Sequence, residues 1–88
     1  MFMFGSAHLD LHIRSKLREH ISQRLLMKHD SGAFTDSESL FFSGRLDSVD
    51  AIEIISLLES EYGIDFAKIE FDITLLDTVD AIFAIVDE

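Results

Sequence analysis

The chain has 88 residues, of which 48% are hydrophobic, enough for one domain over residues 1–88 with one modest core. It contains no cysteine, which excludes disulfide bonds, thiolate metal sites and a cysteine nucleophile. Its formal net charge of −10 disfavours binding to nucleic acids and to anionic lipid, since both are negatively charged.

The first predicted element is a long amphipathic helix. Residues 1–5 lack the basic flank of a signal peptide and no apolar run could span a bilayer, so we expect a cytoplasmic protein with a frayed start over residues 1–5. The helix is predicted from Ser6, as N-cap, to His29, where residues 29–32 favour a stop. One apolar ridge repeats every four residues: Leu9, Ile13, Leu17, Ile21 and Leu25.

A long connection and a second helix follow. We expect the apolar residues of the connection over 30–46 to fold back onto the core: Phe34, Leu40, Phe41 and Phe42. The second helix is predicted over Ser48–Tyr62, with Gly63 just after its end. Its core face is Ala51, Ile54, Ile55, Leu58 and Tyr62, and a separate stripe holds Val49, Ile52, Glu53, Ser56 and Ser60.

The last third of the chain predicts two more helices. A short third helix is expected over residues 66–71, and the last helix begins at Asp77 or Thr78 as N-cap. Its apolar face is Val79, Ile82, Phe83 and Val86. The predicted fold is therefore all-α, a small bundle of three longer helices plus one short helix.

Ser48 stands where a turn-rich segment becomes the second helix. A serine at such a position is most often an N-cap, but it is also exposed and within reach of another enzyme. Asp47 and Asp50 flank it, and either complement the helix N-terminus or serve a partner. They do not form a catalytic carboxylate pair, and no G-x-S-x-G elbow surrounds the serine. We therefore predict no catalytic residue and no enzyme.

Three segments carry a resemblance to a known family. Residues 40–48 (LFFSGRLDS) and 57–64 (LLESEYGI), with the Asp77-Thr78-Val79 opening of the last helix, resemble acyl and peptidyl carrier proteins. The likeness covers nearly the whole chain in the order of its elements and residues 40–86 in detail. It is closest to the D-alanyl carrier and other specialised discrete carriers. Gly44 lies four residues before Ser48, whereas fatty-acid-type carriers usually place glycine three before the serine.

The resemblance implies that Ser48 covalently carries 4′-phosphopantetheine, which a phosphopantetheinyl transferase takes from coenzyme A. Asp47 would help to seat that transferase and its metal ion. The arm would hold an acyl or aminoacyl group as a thioester, received from a loading ligase and passed to a downstream transferase or synthase of lipid or secondary metabolite biosynthesis. The protein itself, expected to be a monomer, would be a carrier and not a catalyst.

The charge of the chain also points to protein partners. Residues 1–29 carry a net charge of +3 and residues 30–88 a net charge of −13, an asymmetry that favours an acidic partner surface over charge kept only for solubility. The resemblance to carrier proteins implies that partners dock on Val49, Asp50, Ile52, Glu53 and Ser56. Alternatively, Val49 and Ile52 lie under the long connection.

The sequence allows two other interpretations. The chain could be an acidic helical adaptor that binds a basic protein through the same face, without a prosthetic group and with Ser48 only as a cap. His8 and His12 stand four residues apart, a spacing that can hold a metal, but no third ligand is evident. We predict surface histidines and no metal site.

Overall fold

The computed structural model describes the backbone of residues 2–87 and the side chains of residues 11–87. Within this range the chain forms three α-helices, α1 (Phe2–Met27), α2 (Ser48–Tyr62) and α3 (Val79–Val86). Two short 3₁₀ helices lie between α2 and α3, over Phe66–Lys68 and Ile73–Leu76. The predicted all-α bundle is confirmed. The short third helix is shorter than predicted, and the second 3₁₀ helix was missed.

Helix α1 begins earlier than its sequence suggested. Ser6 lies inside the helix, so its prediction as N-cap is wrong. The reason is that methionine and phenylalanine tolerate a helix, so the preference of serine for caps does not decide the start. Met1 lies outside the described residues, and the frayed segment over residues 1–5 stays a prediction.

Helix α1 ends at Met27, two residues before the predicted end at His29, and a left-handed residue closes it. His29 has φ 64°. Its N–H donates to the Leu26 carbonyl, and the Asp30 N–H donates to the Leu25 carbonyl, each at 2.9 Å. This pair of bonds is the Schellman arrangement that satisfies the last carbonyls of a helix.

The core lies between α1, α2, α3 and the connection over residues 28–47. Within residues 11–87, each α-helix contributes three buried apolar residues: Leu17, Ile21 and Leu25; Ala51, Ile54 and Leu58; Val79, Ile82 and Ile85. Ile85 was not predicted, whereas the predicted Phe83 and Val86 are only partly buried. The packing of α3 against α1 and against the second 3₁₀ helix decides which residues are buried, because a helix of eight residues has too few turns for its period to fix one face.

The connection contributes to the core but leaves one phenylalanine outside. Phe34 and Leu40 are buried and Phe41 is partly buried, as predicted. Phe42 is exposed, so that prediction is wrong. It lies in a tight turn in which Gly44, with φ 85°, donates its N–H to the Phe41 carbonyl at 3.1 Å, and this turn leaves the Phe42 side chain in solvent.

Arg45 holds the connection in place. Its guanidinium pairs with both carboxylate oxygens of Asp30, at 2.9 and 3.0 Å, and with Glu38 at 2.8 Å. It also donates to the carbonyls of Gly32 and Ala33. Because a bidentate arginine pair fixes geometry as well as charge, these bonds order the chain that leads into α2.

Basic side chains of α1 pair with acids elsewhere in the fold. Arg14 binds Asp36 and Asp80, and Arg18 also binds Asp36. Their guanidinium groups stack over Phe83 and Phe34, at 4.4 and 4.3 Å. Two of the cations in residues 1–29 therefore pair with acids in residues 30–88, and these pairs attach the connection and α3 to α1.

The ends of α2 and α3 agree with the sequence in most details. Gly63 takes the left-handed conformation, with φ 66°, as predicted. Thr78 rather than Asp77 caps α3, with its Oγ1 accepting the Ala81 N–H at 2.9 Å. Among the described residues, no helix combines the length and apolarity needed to cross a membrane.

Candidate functional site

Ser48 is the first residue of α2 and is exposed. The N-cap is Asp47, so the alternative in which Ser48 caps the helix is wrong. Aspartate and serine are equally good caps, and a second acid three residues later decides between them. None of the side-chain hydrogen bonds within residues 11–87 uses the Ser48 hydroxyl, since Asp47 takes the neighbouring amides.

Two aspartates close the start of α2 reciprocally. Asp47 Oδ1 accepts the N–H groups of Val49 and Asp50, at 3.0 and 3.2 Å, and Asp50 Oδ2 accepts the Asp47 N–H at 2.9 Å. This capping box therefore occupies the amides of Asp47, Val49 and Asp50. What remains for an anion at Ser48 is the partial positive charge of the helix end.

Asp50 is buried, with 0% of its surface exposed. Arg24 Nε binds one of its oxygens and Lys28 Nζ the other, both at 2.9 Å. The prediction of Asp50 as a docking residue is wrong, because its carboxylate faces α1 and cannot meet a partner. The sequence held one signal for this contact, since the spacing of Arg24 and Lys28, about one helical turn, matches that of Asp47 and Asp50 at the start of α2.

The charges beside Ser48 are balanced. Lys28 Nζ also binds Asp47 Oδ2 at 2.6 Å. This bond, with that from the Asp50 N–H, lowers the pKa of Asp47 to about 2. The carboxylates of Asp47 and Asp50 thus face the two cations Arg24 and Lys28. A phosphate ester at Ser48 would meet no uncompensated pair of negative charges, so the residues present fit an anionic group at this hydroxyl.

The predicted stripe of α2 lies on the surface. Val49 and Ile52 are 58% and 61% exposed, and Glu53 and Ser56 are also exposed. The connection does not cover Val49 and Ile52, which excludes that alternative. Two further apolar residues, Leu26 and Met27, are exposed at the C-terminal end of α1, and no sequence pattern predicted their exposure. His12 is exposed, and no metal-binding group forms within residues 11–87.

A histidine of α1 faces α2. The Nε2 atom of His20 is buried and has no hydrogen-bond partner among the described residues. Burial, followed by repulsion from Arg24, lowers the pKa of His20, against a weaker opposing effect of Glu53 and Asp50. The charged imidazolium is therefore disfavoured in the folded protein.

We expect the fold to lose stability as the pH falls through about 6.5, the pKa of an unfolded histidine, since the unfolded chain then binds the proton more readily. The melting temperature of wild type should fall more between about pH 7.5 and 5.5 than that of His20→Leu. His12→Leu, at an exposed position of the same helix, should behave as wild type. An identical pH dependence in wild type and His20→Leu would refute this role.

Comparison with known protein families gives a match that includes Ser48 and the start of α2. The family model for the phosphopantetheine attachment site matches residues 15–84, from α1 into α3 and including residues 47–56. The curated proteins and the solved structures gave no significant match. Since the family model covers more than half of the chain, and the structure is an all-helical bundle, the protein belongs to the phosphopantetheine attachment site family, whose members carry covalent 4′-phosphopantetheine and do not themselves catalyse a reaction.

Proposed function

We propose that Ser48 is the residue that carries 4′-phosphopantetheine. The observation that supports this most directly is its exposed hydroxyl at the start of α2, which no hydrogen bond within residues 11–87 uses. Asp47 caps the helix in its place, so the oxygen is free for an ester while the helix end stays closed.

The surrounding side chains hold the attachment residue in a fixed place. Lys28 and Arg24 tie the start of α2 to α1, and the Arg45 contacts order the chain before it. When bound, the group supplies a flexible arm with a terminal thiol, which the cysteine-free chain lacks. Asp47, whose side chain is exposed despite its bond to Lys28, is proposed to help seat the transferase and its metal ion.

The protein acts as a discrete carrier of an acyl or aminoacyl group, held as a thioester. Its family implies a phosphopantetheinyl transferase and synthase-type enzymes as partners. The proposed docking residues are Val49, Ile52, Glu53 and Ser56, all of them exposed. We also propose two further partners, a loading ligase and a downstream transferase or synthase. The carrier is proposed to be a cytoplasmic monomer with a role in lipid or secondary metabolite biosynthesis.

The test is a modification reaction followed by intact mass measurement. The purified protein is incubated with coenzyme A, Mg²⁺ and a transferase of broad specificity. Wild type is expected to gain the mass of one phosphopantetheine group, and Ser48→Ala is expected to gain nothing. Because Asp47 is the cap, Ser48→Ala should fold normally, which circular dichroism checks.

The matched control is Ser60→Ala, an exposed serine near the other end of α2, which should be modified like wild type. An unmodified wild type, or a mass gain that persists in Ser48→Ala, would contradict the proposal. Partner binding that needs no modification and survives Ser48→Ala would support the adaptor alternative instead.

A further inference from the structure

Exposed apolar side chains from two helices flank the start of α2. Met27, the last residue of α1, is 68% exposed, which is a large fraction for an apolar side chain. Val49 and Ile52 of α2 are exposed to a similar degree. We call Met27, Val49 and Ile52 the α1–α2 apolar patch. Isolated exposed apolar residues need no explanation, but a group of them around one site indicates an interaction surface.

Ion pairs place the two parts of this patch at the same end of the bundle. Lys28 follows Met27 directly and binds Asp47 and Asp50, the residues on either side of Ser48 and Val49. Arg24 Nη1 lies 3.7 Å from Met27 Sδ, and its Nε binds Asp50 at 2.9 Å. Met27 and Val49 therefore border one cluster of charges from opposite helices, and Ser48 lies beside that cluster.

We propose that the α1–α2 apolar patch is covered by the enzyme that attaches phosphopantetheine, with Met27 as a contact contributed by α1. This inference rests on the proposed attachment at Ser48. An enzyme that works on cargo at the far end of a flexible arm can dock elsewhere on the carrier. The transferase cannot, because it must bring its active site to the Ser48 oxygen and so covers the side chains around it.

The reaction itself requires this close approach. The Ser48 oxygen forms a bond to the phosphorus that bears the pantetheine of coenzyme A. The diphosphate P–O bond breaks, adenosine 3′,5′-bisphosphate leaves with the bonding electron pair, and the hydroxyl proton passes to a base of the transferase. The attacking oxygen lies one residue from Val49, so the patch is buried in the reacting complex.

The charges around the patch define the chemistry of the partner surface. Arg24 and Lys28 are already paired with Asp50 and Asp47, whereas Glu53 is exposed and forms no ion pair within residues 11–87. The complementary surface is apolar opposite Met27 and Val49 and basic opposite Glu53. Methionine suits such a contact, because its unbranched, polarisable side chain adapts to different partner shapes.

The test measures the steady-state kinetics of modification with the carrier as the varied substrate. Met27→Gln should raise KM by about three- to tenfold with little change in kcat, the loss expected when an apolar interface contact is replaced by a polar one. Met27→Leu, which stays apolar, should restore most of the affinity. Glu53→Lys should also raise KM and should make it less sensitive to salt.

The matched control is Leu11→Gln. Leu11 is 69% exposed on the same helix, and lies roughly 24 Å further along its axis at 1.5 Å per residue. It should be modified as efficiently as wild type. If Met27→Gln and Leu11→Gln have the same KM, the contact with α1 is refuted, while attachment at Ser48 stands. A wild type that is never modified would refute both proposals.

Discussion

Asp50→Ala is expected to lower the free energy of unfolding by about 3 kcal/mol, the lower end of the cost of removing one partner from a buried ion pair. Asp50 is fully buried, binds Arg24 and Lys28, and accepts the Asp47 N–H. The lower end applies because both cations are partly exposed and can reach water once the carboxylate is gone. Small domains are stable by about 5–15 kcal/mol, so this is a large share. Urea denaturation at neutral pH measures it.

Two further variants separate the charge from the shape of Asp50. Asp50→Asn keeps a hydrogen-bond acceptor for the Asp47 N–H but leaves Arg24 without a carboxylate partner and Lys28 with Asp47 alone, so it should also destabilise clearly. Glu53→Ala, one turn further along α2 and exposed, should change the free energy of unfolding by no more than about 0.5 kcal/mol. An Asp50→Ala protein as stable as Glu53→Ala would show that the buried pair contributes nothing.

Asp77→Ala should lower the free energy of unfolding by about 2–3 kcal/mol and loosen the connection before α2. The Asp77 carboxylate accepts bonds from the Ser39 hydroxyl and the Phe41 N–H, at 2.6 and 2.7 Å, and from the Phe42 N–H at 3.3 Å. Bonds to a charged group contribute more than neutral ones, and the amides would lose their acceptor. Denaturation gives the stability, and faster amide exchange at Phe41 and Phe42 gives the local loosening.

The pH dependence of this effect follows from the pKa of Asp77. Burial raises that pKa, but the bonds from Ser39, Phe41 and Phe42 outweigh burial and leave it below its usual value. A depressed folded pKa means that the stabilisation is complete above the unfolded pKa of about 3.9 and is lost as the pH falls through the folded value. The gap between wild type and Asp77→Ala should stay constant from neutral pH to about pH 5, then narrow. A gap that grows in acid would contradict this assignment.

A matched control for Asp77 is Asp72→Ala. Asp72 is exposed and caps the short 3₁₀ helix Ile73–Leu76 by accepting the Thr74 N–H at 2.9 Å. Removal of such a cap costs about 1 kcal/mol and should leave amide exchange at Phe41 and Phe42 unchanged. If Asp77→Ala and Asp72→Ala have the same effect on stability and on amide exchange, the bonds between Asp77 and the connection contribute no more than an ordinary helix cap.

The sequence predicted best what depends on near neighbours. The bounds of α2, the left-handed Gly63 and the exposure of Val49 and Ile52 follow from helical periodicity and local backbone preferences, and all are found in the structure. Local preferences also explain the wrong prediction for the start of α1. The cap preference of Ser6 competed there with neighbouring residues that also allow a helix.

The sequence failed where a residue is placed by distant partners. Asp50 has the sequence position of a surface acid, and it is drawn inside by Arg24 of α1 and by Lys28, just after the end of that helix. Asp77 was considered as a helix cap, but its carboxylate serves residues 39–42. Pairing over such separations is set by packing, and no single-sequence pattern contains it.

The cap of α2 and the proposed attachment site are different residues, Asp47 and Ser48, and this has a consequence for the modified protein. Because Asp47 and Asp50, and not Ser48, close the start of α2, esterification of the Ser48 oxygen removes no bond that the fold uses. Under the proposed attachment, the bare and loaded polypeptides share one architecture and one set of internal contacts. The enzyme that attaches the arm and the enzymes that later load and unload it then meet the same scaffold.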